Sequence, residues 1–165
     1  MNLILIIDYM EQTEFIKVAI QLSKEGSENN MGGPFGCVVV KDGKIIGKGY
    51  NEVTSSNDPT AHAEIVAIRE ACRTLGSFQL TGCEIFTSCE PCPMCLGAIY
   101  WARPDKVYFA NTRNDAAAAG FDDAFIYDEI HKHPSGRKIK MLHVPDDEAL
   151  EIFKKWIART DKTCY

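Results

Sequence analysis

Two short motifs, thirty residues apart, constrain this chain more than any other feature of its sequence. His62-Ala63-Glu64 comes first, and Pro91-Cys92-Pro93-Met94-Cys95 follows. Each opens a segment with helical character. Ile65, Ile68 and Cys72 form an apolar stripe after the first, up to a stop at Gly76, and Pro93 suits the first turn of a short helix that ends near Trp101. Cys92 and Cys95, three apart, then project from one side of that turn. The unpaired N–H groups and the dipole there favour thiolate over thiol. A fold that brings His62 to the same point assembles one nitrogen and two sulfur donors, a set suited to zinc. Three protein ligands rather than four leave a position for water, whose pKa then falls to about 7. Glu64, two residues beyond His62, can face that water without ligating, take its proton and pass it on.

The same cysteines admit other readings. Cys89-Glu90-Pro91-Cys92-Pro93-Met94-Cys95 is also C-x-x-C-x-x-C, a spacing found in iron–sulfur proteins. Cys89 could equally close a structural site with three cysteines and one histidine. Neither rival accounts for the placement of both half-motifs at helix starts, and an inert thiol at the end of a strand is the better reading of Cys89. The seven cysteines (37, 72, 83, 89, 92, 95 and 164) are odd in number, with three inside seven residues, which suits a metal site better than a disulfide framework. Cys37 and Cys72 lie in apolar-periodic segments and read as small core residues.

The chain has 165 residues, enough for a single domain over 1–165 with its own core. Its net charge of -5 argues against a long polyanionic partner, because phosphate contacts need a basic face. We therefore expect no nucleic-acid partner. Leu3 to Ile7 is apolar but lacks a basic flank, meets Asp8 at once and is too short to span a bilayer; no membrane association and a cytoplasmic location are expected.

Helical spacing of Phe15, Val18, Ala19 and Leu22 predicts a helix over 11–25. Strands over 35–41 and 44–50 flank Asp42-Gly43, a strong hairpin signal, and a polar loop covers 51–60. Further strands are expected over 84–88, 106–110 and 138–144. A helix interrupted at Gly120 is expected over 115–130, and a last amphipathic helix is capped by Asp146 or Asp147. A hairpin followed by alternating helices and strands implies an α/β fold with a mixed sheet flanked by helices.

The longer runs Asp58-Pro59-Thr60-Ala61-His62-Ala63-Glu64 and Ser88-Cys89-Glu90-Pro91-Cys92-Pro93-Met94-Cys95-Leu96-Gly97-Ala98-Ile99 resemble the cytidine-deaminase superfamily, whose signature is H-x-E followed by P-C-x-x-C. They are most similar to its purine branch, which includes tRNA adenosine deaminases and bacterial-type guanine deaminases. Free-nucleoside cytidine deaminases usually carry cysteine where His62 stands. Met31-Gly32-Gly33-Pro34-Phe35-Gly36, Ile99-Tyr100-Trp101-Ala102-Arg103-Pro104, Ala119-Gly120-Phe121-Asp122-Asp123 and the terminal Tyr165 resemble the guanine deaminases in particular.

The resemblance implies a three-layer α-β-α fold with a five-stranded mixed sheet, one zinc per chain held by His62, Cys92 and Cys95, and hydrolysis of guanine to xanthine and ammonia. It also implies a homodimer in which the C-terminal segment can cross to the partner. Glu64 would move protons. Asn51 would offer its amide to the purine, against a turn residue as the plain alternative; Phe35 would stack on the base, against core packing. Trp101 would wall the pocket, against burial at the helix end. Asp123 would bind guanine N–H groups and relay a proton, with Asp122 and Asp115 as competitors. Tyr165 would close the site, against a frayed terminus. An adenosine deaminase acting on tRNA is the second enzyme reading, and a non-enzymatic zinc or iron–sulfur module is the third.

Overall fold

Asp42 and Gly43 both take positive φ, 49° and 71°, as a two-residue hairpin turn requires. They join β1 (Gly36–Lys41) to β2 (Lys44–Tyr50) in antiparallel register, with Gly36 opposite Tyr50 and an irregularity at Val39/Val40. In this computed structural model residues 3–164 are described, with side chains from Gln12 onward. β1 also pairs antiparallel with β3 (Cys83–Cys89), and β3 pairs parallel with β4 (Lys106–Asn111), giving a mixed sheet in the order β2-β1-β3-β4. A parallel pair needs a crossover, which α4 (Pro93–Ala102) supplies.

The sheet is covered on both faces, which makes the architecture α-β-α. Cys37, Val39, Cys83 and Ile85 meet Ala63, Ala67, Ile68 and Ala71 of α3 (Ala63–Leu75) together with Ile99 and Ala102 of α4. Val38, Val40 and Phe86 face the other way, against Phe15, Ile16 and Leu22 of α1 (Leu3–Glu28). Here Phe86 stacks on Tyr108 at 4.7 Å and lies 5.1 Å from Phe15. This alternation explains why β1 reads as an almost unbroken apolar run, since a central strand is buried on both sides.

Two glycines decide how closely α3 lies on the sheet. A Cβ on Gly47 would come 2.7 Å from Ala71 N and 2.8 Å from Ala71 Cβ; one on Gly49 would come 2.7 Å from Ala63 O and 2.8 Å from Val66 Cβ. The helix therefore rests on bare backbone. It ends at Gly76, whose φ of 60° lets its N–H reach Arg73 O while Ser77 N reaches Cys72 O.

Several expectations need correction. The sheet has four strands among the described residues, not the expected five: residues 138–144 form no strand and are exposed throughout. Their alternating pattern satisfies only half of what a strand needs, because a strand is stable only beside a pairing edge. The first helix is longer than 11–25, and the polar loop contains a single turn, α2 (Val53–Ser56). The break at Gly120 (φ 93°) is observed, between α5 (Arg113–Ala118) and α6 (Ala124–His131).

The chain divides into two compact units after Asp123. The second contains α6, a 3-10 turn at Pro134–Gly136 and α7 (Asp147–Ala158). Asp146 caps α7, its Oδ1 accepting from Glu148 N at 2.8 Å and Ala149 N at 3.3 Å. No described residue of this unit is buried, and Leu150, Phe153, Trp156 and Ile157 of α7 all remain exposed. No described helix is long and apolar enough to cross a membrane.

Adding side chains to the glycines beneath α3 tests this packing. Gly49→Val is expected to destabilise the protein by about 1–3 kcal/mol, the usual cost of overpacking, read from the midpoint of urea denaturation.

Candidate metal centre and active site

The site forms where the N-termini of α3 and α4 meet. His62 is the N-cap of α3 and Cys92 the N-cap of α4; both are extended (ψ 155° and 167°), and neither side chain caps its own helix. Both side chains turn towards each other instead. His62 Nδ1 lies 3.5 Å from Cys92 Sγ and 3.5 Å from Cys95 Sγ. The three donor atoms all fall within 4.8 Å of one another.

Local structure fixes each half. Before α3, Asp58 Oδ1 accepts from Thr60 N at 2.8 Å and Thr60 Oγ1 at 2.7 Å, and His62 N donates to Thr60 O at 2.8 Å. The Thr60 hydrogen bonds hold the Asp58 carboxyl below its usual range. Before α4, Glu90 N donates to Asn111 O at 2.8 Å and Glu90 Oε2 accepts from Arg113 N at 3.0 Å, tying the turn to β4 and its exit. Pro93 then starts the helix without wasting a donor.

The two cysteines divide one negative charge. The Cys95 thiol bonds Cys92, which lowers Cys92 to about 4, with His62 adding to the effect; the same contact, with burial, holds Cys95 well above the ordinary thiol value. The hydrogen bond to Cys92 raises His62. A cation bound by both sulfurs replaces that shared proton, since a coordinating thiol is deprotonated outright.

Glu64 stands in the first turn of α3, 6% exposed, with Oε2 3.4 Å from Cys95 Sγ and Oε1 3.4 Å from Thr87 Oγ1. Burial raises its carboxyl above the usual range. Cys89 stays apart from this cluster: its thiol donates to Thr112 O at 3.6 Å, and burial pushes it up to about 11. The rivals that required Cys89 as a ligand therefore lose it.

The loops before β1 and after β2 hold a polar and an aromatic group together. Asn51 is buried, its Oδ1 accepting from Gly33 N and Val53 N, each at 3.2 Å, while its own N–H donates to Phe35 O at 3.0 Å. With the oxygen committed to the backbone, the NH2 group is the end that can donate to an outside acceptor. Gly32 makes this arrangement possible, because a Cβ there would strike Asn51 Oδ1. Half-buried Phe35 meets Phe121 edge to face, centroids 5.0 Å apart at 84°.

Asp123 is half-buried; burial, then the charge of Cys92, raises its carboxyl above the usual range. Its competitor Asp115 is occupied elsewhere, its Oδ2 accepting from Thr112 N at 2.8 Å and Thr112 Oγ1 at 2.7 Å in a capping box. Asp122 is exposed. Trp101 is not buried as its plain reading had it: it is 64% exposed on the last turn of α4, away from the ligand-bearing first turn. Tyr165 lies outside the described residues. Thr87 and Phe121 belong to the site neighbourhood although sequence reasoning gave neither a role. Phe121 sat in a run already noted, whereas nothing in the strand pattern distinguished Thr87.

The family profile described as the cytidine and deoxycytidylate deaminase zinc-binding region matches residues 10–111. The chain belongs to this family. The deaminase is 56% identical over 147 residues to the guanine deaminase of Bacillus subtilis, covering 89% of this chain and 94% of that protein. An X-ray structure of guanine deaminase from Bacillus subtilis superimposes with a TM-score of 0.90 at 55% identity, covering 93% of this chain and 98% of that one. The tRNA-specific adenosine deaminase of Aquifex aeolicus is 38% identical over 91% of this chain and 96% of its own length.

The donor set of this deaminase fits zinc. Bond lengths of about 2.3 Å to sulfur and 2.0–2.1 Å to nitrogen place tetrahedral nitrogen and sulfur ligands about 3.6 Å apart. Both nitrogen–sulfur separations here are 3.5 Å. One zinc per chain is its cofactor. Metal analysis of purified protein is expected to give one zinc per chain. Cys95→Ser should remove most of it and Cys89→Ser should leave it in place; loss of zinc from the Cys89 variant would make Cys89 a ligand.

Proposed function

We propose that this deaminase acts on the free base guanine, hydrolysing it to xanthine and ammonia. The observation that carries this reading is the 56% identity to the Bacillus subtilis guanine deaminase across nearly the whole of both chains. The net charge of -5 accords with a small substrate rather than a nucleic acid.

Bound zinc held by His62, Cys92 and Cys95 supplies a Lewis acid that brings the pKa of water to about 7. The chain's own residues do the rest. Water adds to the ring carbon that carries the amine, the C–N bond to that amine breaks, and the products are xanthine and ammonia. Glu64 takes one proton from the attacking water and gives it to the ring nitrogen, then takes the proton of the new hydroxyl and gives it to the departing amine, so that the carbonyl forms as ammonia leaves. Its burial suits the task, because burial raises its carboxyl above the usual range and so makes it a better proton acceptor than an exposed carboxylate.

Asn51 donates through its NH2 group to an acceptor on the purine. Phe35, steadied by Phe121, stacks on the base. Asp123 accepts from guanine N–H groups and relays a proton. Trp101 walls the pocket, and Tyr165 closes the site from the partner subunit. The homodimer that this requires is supported by the apolar stripe of α7, whose Leu150, Phe153, Trp156 and Ile157 are exposed in the single chain and which a second copy would cover when C-terminal segments are exchanged. The protein then operates as one functional domain per chain, in the cytoplasm.

The 38% identity to the Aquifex aeolicus enzyme favours a second reading, deamination of adenosine in tRNA. Turnover of guanine, adenine and an anticodon stem-loop, followed by ammonia release, separates the two. Guanine is expected to react well and adenine hardly at all, because adenine leaves the Asp123 carboxylate unpaired at about 1–3 kcal/mol. Efficient conversion of adenosine in the RNA with none of guanine would reverse the assignment.

Two variants test the roles. Glu64→Ala should abolish turnover while zinc content and melting temperature stay near wild type; loss of metal with activity would make Glu64 a ligand. Asp123→Asn should lower guanine turnover about tenfold, in line with the loss of a charge-assisted hydrogen bond.

A further inference from the structure

The sheet face beneath α3 and α4 carries one hydroxyl in an apolar row. Along β3 that row reads Cys83, Ile85, Thr87 and Cys89, and along β1 it reads Cys37 and Val39, with Cys37 paired opposite Thr87. Thr87 is fully buried, among the largest side chains in the protein with no solvent contact. Valine has almost the same shape and would fill this place without a polar group to satisfy. The hydroxyl therefore answers something other than packing.

What it faces is Glu64. Thr87 Oγ1 lies 3.4 Å from Glu64 Oε1 and 3.4 Å from the Gly36 carbonyl oxygen. On the other side of the carboxyl, Oε2 lies 3.4 Å from Cys95 Sγ. The two oxygens of Glu64 are thus divided between a ligand sulfur and the Thr87 hydroxyl. We infer that Thr87 is a positioning residue for Glu64: its hydroxyl anchors Oε1 and so directs Oε2 to the metal side of the site. This rests on the reading of Glu64 as the proton carrier.

A hydroxyl suits the place better than an amide or a cation. It donates to Oε1 when the carboxyl is ionised. When the proton is held on Oε2, on the metal side, Oε1 still accepts from the hydroxyl, and Gly36 O at 3.4 Å offers Oγ1 a second acceptor. Both halves of a proton-transfer cycle then leave no polar atom stranded in the core, and neither half requires Glu64 to move. A lysine in this position would hold the carboxyl ionised, and an apolar residue would remove the side-chain donor that faces Oε1.

The experiment compares wild type, Thr87→Val, Thr87→Ser and Thr87→Ala as zinc-loaded proteins. Within each of the pairs Thr/Val and Ser/Ala the polar group is what differs. Positioning by the hydroxyl predicts that kcat falls about tenfold or more within each pair, as expected for a hydrogen bond to a charged group. KM should shift much less, zinc should remain at one per chain, and Thr87→Ser should retain most of the wild-type kcat. A crystal structure of Thr87→Val should show the Glu64 carboxyl rotated from its wild-type position. Equal kcat for Thr87→Val and wild type would overturn the inference. So would a Ser variant as impaired as the Ala variant, because that pattern reports lost methyl packing. If Thr87→Val does not fold, the Ser/Ala pair carries the comparison alone. Should the wild type leave guanine untouched, the substrate assignment fails separately, and the same four proteins are compared on the aminopurine that it does deaminate.

Discussion

The meeting of two helix N-termini is the constraint on which the rest of this structure depends. Each end carries unpaired N–H groups and a partial positive charge of about half a unit, so bringing two together is unfavourable unless negative charge stands between them. The Cys92 thiolate, held near 4 by Cys95 and His62, supplies that charge, and Glu64 stands in the first turn of α3 beside it. The N-cap positions show the consequence. Capping residues ordinarily satisfy their own helix, but His62 and Cys92 forgo that bond and face each other. Stability at both helix starts is thereby linked to the ion that joins them, as in other proteins where ligand binding and folding share free energy.

The sheet turns this local arrangement into a fixed geometry. β1 and β3 are buried on both faces, so a one-residue slip of register would drive the side chains fitted against α1 into the layer fitted against α3 and α4. The groups proposed to meet the substrate are placed differently, on loops: Asn51 after β2, Phe35 before β1 and Phe121 after α5. Their order comes from a few directed contacts, chiefly the two backbone N–H groups on Asn51 Oδ1 and the edge-to-face ring pair. Chemistry thus sits on regular elements and recognition on loops, a division common where one reaction serves many substrates.

How much of this was legible in the sequence depended on how local the cause was. Asp42-Gly43 announced the hairpin because the turn itself demands residues that tolerate positive φ. Helix geometry places Cys92 and Cys95 on one side of a turn, and the match of both half-motifs to the deaminase signature made His62 legible as the third donor. Residues 138–144 misled, since alternation records a face to be covered and says nothing of an available edge. The plain alternative for Trp101, burial at the helix end, fails for a related reason: hydrophobicity reads as burial, yet 64% of it is exposed in the chain. The pairing of Phe35 with Phe121 and the approach of Thr87 to Glu64 arise from contacts between distant segments, and no window of sequence holds both partners.

The bare glycines beneath α3 have one more effect. Side chains between a helix and a sheet act as a compressible layer, able to switch rotamers and let the helix slide or tilt by fractions of an ångström. At Gly47 and Gly49 that layer is missing, and the helix backbone sits directly on the strand. Because His62 and Glu64 leave the same end of this helix, thermal motion carries them together as one rigid piece. The spacing between His62 and Glu64 is then set by one short stretch of backbone, much as two marks on a steel rule keep their separation when the rule is moved.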